Sequence, residues 1–123
     1  MVARRTDNYR GHELLAYSLR DAGDDRGALP HFARAIELFP GDAELLTNGA
    51  VVALRVRDTS TAARWLTTAV QGSPRAARAR TRLYTILRAR GDASGARRLL
   101  IAGLRLEPQQ RTWAMSLTAL GNR

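Results

Sequence analysis

The residues able to do chemistry are few, and the missing types decide as much as those present. All 20 basic residues are arginine, so no lysine can form a Schiff base or serve a phosphate-gripping loop. Cysteine is absent too, which excludes disulfides, a thiolate nucleophile and a cysteine-based zinc site. His12 and His31 are the only histidines; they stand 19 residues apart and fit no HExxH-type metal spacing. His12 and Glu13 are adjacent, which on a helix points them about 100° apart. With no partner set, both histidines read as structural or solvent-facing. Asp24-Asp25 offers too few oxygens for calcium and reads as a turn and a helix cap. Gly91-Asp92-Ala93-Ser94-Gly95 has no strand before it and is no phosphate loop. The chain therefore reads as a non-enzyme with no cofactor and no metal. One pair does suggest binding. Arg78 and Arg82 lie one helical turn apart and can turn two guanidinium forks to one side, a geometry suited to carboxylates.

The rest of the composition bounds the class. A chain of 123 residues suggests one domain. With 45% apolar residues and a mean hydropathy of −0.30, it can build a core. Eleven acids against the arginines leave a net charge of +9, which points first to nucleic acid. The longest apolar runs, such as Leu99 to Leu104, are about six residues, far short of the ~20 that span a bilayer. Residues 1–8 form a polar, basic N-terminal arm with no apolar segment behind it, so no signal peptide is expected. A cytoplasmic protein is expected, with no membrane partner; a chain without cysteine needs no oxidising compartment.

A period of 34 residues organises the chain. Pro40, Pro74 and Pro108 keep that step. So do Ala28, Ala62 and Ala96; Phe32, Leu66 and Leu100; Ala35, Ala69 and Gly103; and Asp24, Asp58 and Asp92. The register divides the chain into 9–42, 43–76 and 77–110. Each unit reads as two helices. Leu15, Ala16, Leu19 and Ala22 recur at helical steps; Gly23-Asp24 ends that helix and caps the next. Ala28, Phe32, Ala35, Ile36 and Phe39 make the second stripe, ended by Pro40-Gly41-Asp42. In unit two, Arg57-Asp58-Thr59-Ser60 replaces the glycine turn, with Asp58 or Ser60 as cap. Pro30 is expected in the first turn or so of its helix, where its missing N–H costs little. Residues 111–123 read as a seventh helix carrying Trp113, Leu117 and Leu120, a C-terminal cap for the array.

These columns resemble the tetratricopeptide repeat, whose pattern is Trp-x₂-Leu-Gly-x₂-Tyr, Ala-x₃-Phe, then Pro. Unit one offers His12, Leu15, Ala16, Leu19, Ala28, Phe32 and Pro40. Unit two offers Leu46, Gly49, Ala50, Ala53, Ala62, Leu66 and Pro74. Unit three offers Arg80, Leu83, Tyr84, Leu87, Ala96, Leu100 and Pro108. The resemblance implies an all-α, right-handed α-α solenoid of three helix-turn-helix units plus the capping helix. It also shows departures. The large aromatic of the first signature site is missing from every unit. Tyr84 stands where the family has Gly or Ala, and is expected to pack over Gly103.

In this family the first helices of the units line a concave groove that holds peptides or partner helices. By that resemblance the lining is Arg10, Glu13, Leu14, Tyr17 and Arg20 from unit one. Glu44, Thr47, Asn48, Val51 and Arg55 come from unit two, and Arg78, Thr81, Arg82, Thr85 and Arg88 from unit three. In the chaperone-cofactor branch, five groove positions grip a peptide's C-terminal carboxylate. Asn48, Arg78 and Arg82 match that clamp, with arginine for lysine at Arg78. Glu13 and Tyr17 stand where the branch has Lys and Asn, and Glu13 opposes a carboxylate. Heat-shock tails are therefore not expected, while acidic peptides in general are.

The expected function is protein–protein interaction: an adaptor or scaffold holding an acidic peptide or helix. The chain is expected as a monomer or a weak dimer through the C-terminal helix. The alternative is nucleic-acid binding, RNA above all, through the arginine-rich third unit. Against it, the seven aromatics sit largely on repeat columns and form no stacking platform among the arginines. The charge is also graded. Residues 9–42 carry −2, 43–76 carry +2 and 77–110 carry +6. An acidic partner should lie with its negative end toward Arg78, Arg82 and Arg88.

Overall fold

The computed structural model describes residues 5–121, with side chains from Tyr9 to Gly121. Seven helices follow in order: α1 (Arg5–Asp21), α2 (Asp25–Leu38), α3 (Ala43–Arg55), α4 (Thr59–Gly72), α5 (Ala77–Ala89), α6 (Ala93–Leu106) and α7 (Arg111–Gly121). No strand occurs among the described residues. The second helices start at 25, 59 and 93, and α3, α5 and α7 start at 43, 77 and 111, so the helices keep the sequence period. Of the N-terminal arm, residues 5–8 belong to α1, and residues 1–4 lie outside the described residues, as do 122–123.

Local chemistry sets the boundaries. Asp24, Asp58 and Asp92 cap the second helices by accepting from the backbone N–H of Gly27, Thr61 and Gly95 at 2.8–3.2 Å. Asp42 does the same for α3 through Leu45. Its counterpart Ala76 gives α5 no side-chain cap. Gly23 and Gly91 turn the chain at φ +86° and +80°. In unit two Arg57 makes the same turn at φ 66°, where a β-carbon is disfavoured. Pro30 sits at the sixth residue of α2, deeper than expected. Its ring removes the N–H that would bond one turn back, yet the helix runs on to Leu38.

Each helix packs on its chain neighbours, and α3 also touches α5. Phe32, Leu66 and Leu100, one column of the repeat, are fully buried. Each such side chain contributes roughly 1.5–3 kcal/mol of burial. One core runs through α1 to α5. A second joins Ala96, Leu100, Trp113 and Leu120, with Leu87 packed against both. The ends of the apolar stripes behave differently. Leu15 is 48% exposed, and Leu14, on the face assigned to the groove, is 69% exposed. Phe39 is half exposed and stacks on Tyr9, ring centroids 5.0 Å apart.

The space beside Gly103, expected for Tyr84, is taken first by Arg80 and Trp113. A β-carbon at Gly103 would meet Arg80 Cδ, and would lie 2.8 Å from both Arg80 Nε and Trp113 Cζ3. Arg80, at the first signature site of unit three, is only 3% exposed. Its guanidinium donates to the carbonyls of Leu99 and Pro74 at 2.8 Å each and lies 5.9 Å from the Trp113 ring centroid. Nε is buried without a hydrogen-bond partner. Burial draws the Arg80 pKa below its ordinary value, and the Glu107 carboxylate opposes that shift. Tyr84 instead accepts from Arg88 at 3.4 Å. The residue that fills the gap is thus an arginine, held by two backbone carbonyls that only the folded units bring together.

Candidate functional site

The candidate site is the face made by α1, α3 and α5. These helices adjoin at several points. Asn48 Nδ2 on α3 donates to the Tyr17 hydroxyl on α1 at 3.0 Å. Leu54 on α3 and Thr59 on α4 share a cleft of about 320 Å³ with Arg82, Thr85, Ile86, Ala89 and Arg90. Glu44 and Thr47 share another hollow with Arg78 and Ala79. A third follows α5 itself, along Arg78, Thr81, Arg82 and Thr85.

The predicted groove residues fall into two groups. Those of unit one are tied to their own neighbourhood. Arg10 is exposed and pairs with Glu13 at 3.6 Å. Glu13 also accepts from the Tyr9 hydroxyl at 3.1 Å, as does Asp42. Burial, then the hydrogen bonds to Asp42 and Glu13, push the Tyr9 phenol far above its usual range. Tyr17 packs edge-on against Phe32 and carries Arg20 over its ring face at 4.7 Å. Burial raises its pKa, opposed by the bond from Asn48.

The second group, on α3 and α5, is mostly open. Val51 is half-buried, and Arg55 reaches back to Asp25 at 3.6 Å. Thr47 is buried, its hydroxyl donating to the Ala43 carbonyl at 2.7 Å, so it offers little to a ligand. Arg78, Arg82 and Thr85 are exposed. Among the described residues, neither the Arg78 nor the Arg82 guanidinium has a hydrogen-bond or ion-pair partner. Arg88 is half-buried and turned to Tyr84, apart from the other two. Thr81 accepts from the Trp113 indole N–H at 2.9 Å, which fastens α7 to α5.

The structure also joins two residues that spacing kept apart. His12 Nδ1 and His31 Nδ1 are 3.1 Å apart, with ring centroids at 5.3 Å and planes at 29°. The rings meet nitrogen to nitrogen and bind α1 to α2. The same two columns hold Leu46 with Trp65 in unit two and Arg80 with Leu99 in unit three. Those columns were the signal that could have found the contact. Sequence reasoning also passed over Thr59, Ala89 and Arg90 at the cleft. No group of three or more metal-ligating side chains occurs among the described residues. No described helix is long and apolar enough to cross a membrane.

An all-α solenoid of paired helices is the class this fold defines. Solved structures then specify it. The chain is similar to the TPR domain of Arabidopsis OM64, with 18% identity, 97% of this chain and 98% of that one covered, and a TM-score of 0.75. It is similar to the N-terminal domain of stress-induced protein-1 from C. elegans at 20% identity, 98% and 99% coverage and a TM-score of 0.78. A third likeness is the second TPR domain of human RPAP3, solved in complex with the HSP70 peptide SGPTIEEVD; identity is 18%, coverage 98% and 100%, and the TM-score 0.76. No protein-family model and no curated protein matches the sequence. The chain has the tetratricopeptide-repeat fold.

Proposed function

We propose that the chain is a non-catalytic, cytoplasmic protein-interaction module, an adaptor or scaffold that binds an acidic peptide or helix along the α1, α3 and α5 face. The observation carrying this reading is the pair Arg78 and Arg82, exposed, one turn apart and unengaged by any described carboxylate. Guanidinium forks in that position suit carboxylates on a partner. A protein of the same fold, the RPAP3 domain, is solved with a peptide rich in acids, SGPTIEEVD. The module acts as a monomer or a weak dimer through α7.

A second reading is RNA binding, favoured by the eight arginines against two acids in residues 77–110. Fluorescence anisotropy separates the two. A labelled acidic peptide and a generic single-stranded RNA are titrated at low and physiological salt. Peptide binding weakened about tenfold or more by Arg78→Ala with Arg82→Ala supports the interaction module. Micromolar RNA binding at physiological salt, with the steep salt dependence of phosphate contacts, supports the rival.

A further inference from the structure

The cleft between α3 and α5 carries enough chemistry to specify the ligand, given the groove reading above. Its floor is apolar: Leu54, Ile86 and Ala89. Its two ends are cationic. Arg82 lies at one and Arg90 at the other, both exposed, and neither guanidinium has a hydrogen-bond or ion-pair partner among the described residues. Thr59 and Thr85 add hydroxyls at the rim. The nearby acid, Asp58, is occupied in capping α4 through Thr61 N at 3.2 Å. A cavity of about 320 Å³ holds one branched aliphatic side chain with the backbone that bears it.

The spacing of the charges fixes a pattern. Arg82 on α5 and Arg90, the residue that caps its C-terminus, are eight steps apart, about 12 Å along the helix axis. An extended peptide advances about 3.3 Å per residue, so about four residues span that distance. In an extended chain, alternate side chains share one face. An acid, an aliphatic residue and a second acid at alternate positions would then meet Arg82, the apolar floor and Arg90 together.

A free C-terminus is not what this face receives. The positions of units one and two that would close around it are taken. Glu13 is acidic and engaged by Tyr9 and Arg10, and the Asn48 amide is engaged by Tyr17. We infer that the cleft binds an internal, extended segment of the form acid–x–aliphatic–x–acid, the aliphatic side chain entering between Leu54 and Ile86.

The test uses the full chain and four labelled peptides in fluorescence anisotropy. The reference is amidated Glu-Ser-Leu-Ser-Glu between glycines. The others carry serine for leucine, the acids moved next to the leucine, or a free carboxyl end. The reference and the free-acid form should bind alike, and the other two about tenfold more weakly. Ala89→Glu, an exposed helical change, should abolish binding, and Arg90→Ala should weaken it severalfold; circular dichroism checks that both variants fold. A tenfold preference for the free-acid form, or indifference to leucine, acid spacing and Ala89→Glu, overturns this inference. If those results accompany loss of binding in Arg78→Ala with Arg82→Ala, the interaction reading stands without it. Failure of every acidic peptide to bind overturns both.

Discussion

The stem of Arg80 occupies the space that a side chain at Gly103 would need. Units one and two carry Ala35 and Ala69 in that column, opposite His12 and Leu46. Arginine and glycine therefore belong together in unit three. Gly103→Ala should cost about 1–3 kcal/mol, because the arginine is held by two carbonyls and the indole closes the other side. Restoring the unit-two pair, Arg80→Leu with Gly103→Ala, should recover much of that loss. Urea denaturation of the two single variants and the double one measures the coupling. Additive effects would show that the two sites are independent.

Arg57 takes a turn made elsewhere by glycine, at φ 66°. A left-handed conformation costs a non-glycine residue about 1–2 kcal/mol. Arg57→Gly relieves that cost while loosening the unfolded chain, so a net gain of up to about 1 kcal/mol is expected. Thermal unfolding should show the rise, while the same change at an ordinary helical arginine such as Arg64 should lower stability.

Helix α5 begins without a side-chain cap, and α3 begins with one. Ala76→Asp would supply the missing acceptor and should stabilise by about 0.5–2 kcal/mol. Asparagine should give most of the gain, since the oxygen matters more than the charge. Equal stability of the aspartate and alanine proteins would mean that α5's first turn does not accept the cap.

Tyr9 and Tyr17 keep their protons beyond the usual phenol range, chiefly through burial. Above about pH 10 the unfolded chain loses phenol protons that the folded chain retains, so stability falls as pH rises. Denaturation between pH 8 and 11 should show this decline. Tyr9→Phe should flatten it; an unchanged slope would place the loss elsewhere.

The histidine contact has its own check. His12→Ala and His31→Ala should show a coupling of about 0.5–1.5 kcal/mol at neutral pH, the worth of one hydrogen bond.

The repeat was legible because the same columns set helix, turn and core. Alanine at 28, 62 and 96 permits close approach, the aromatic or leucine four residues on fills the core, and aspartate caps. Arg78 and Arg82 could be placed on one face by helical spacing alone. The buried role of Arg80 could not. In an arginine-rich chain it resembles every other surface charge, and its partners are carbonyls, which sequence does not distinguish. Tyr84 and Arg80 lie one turn apart on α5, so spacing alone could not say which would reach Gly103. The cleft was hidden for a similar reason. Thr59 and Arg90 lie at a helix start and a helix end, and only the packing of α3, α4 and α5 brings them side by side.

Trp113 carries a consequence for how such arrays can be lengthened or recombined. It stands 34 residues after Ala79, so the two are equivalent places in successive units. If residues 77–110 were duplicated in tandem, a second Ala79 would face Arg80 and Gly103 where the indole now closes over them. A methyl group would leave that junction hollow. The third unit therefore does not make a good neighbour for itself. Any helix spliced after it must bring a large aromatic to that one position, which makes the junction a compatibility rule for building longer chains from these units.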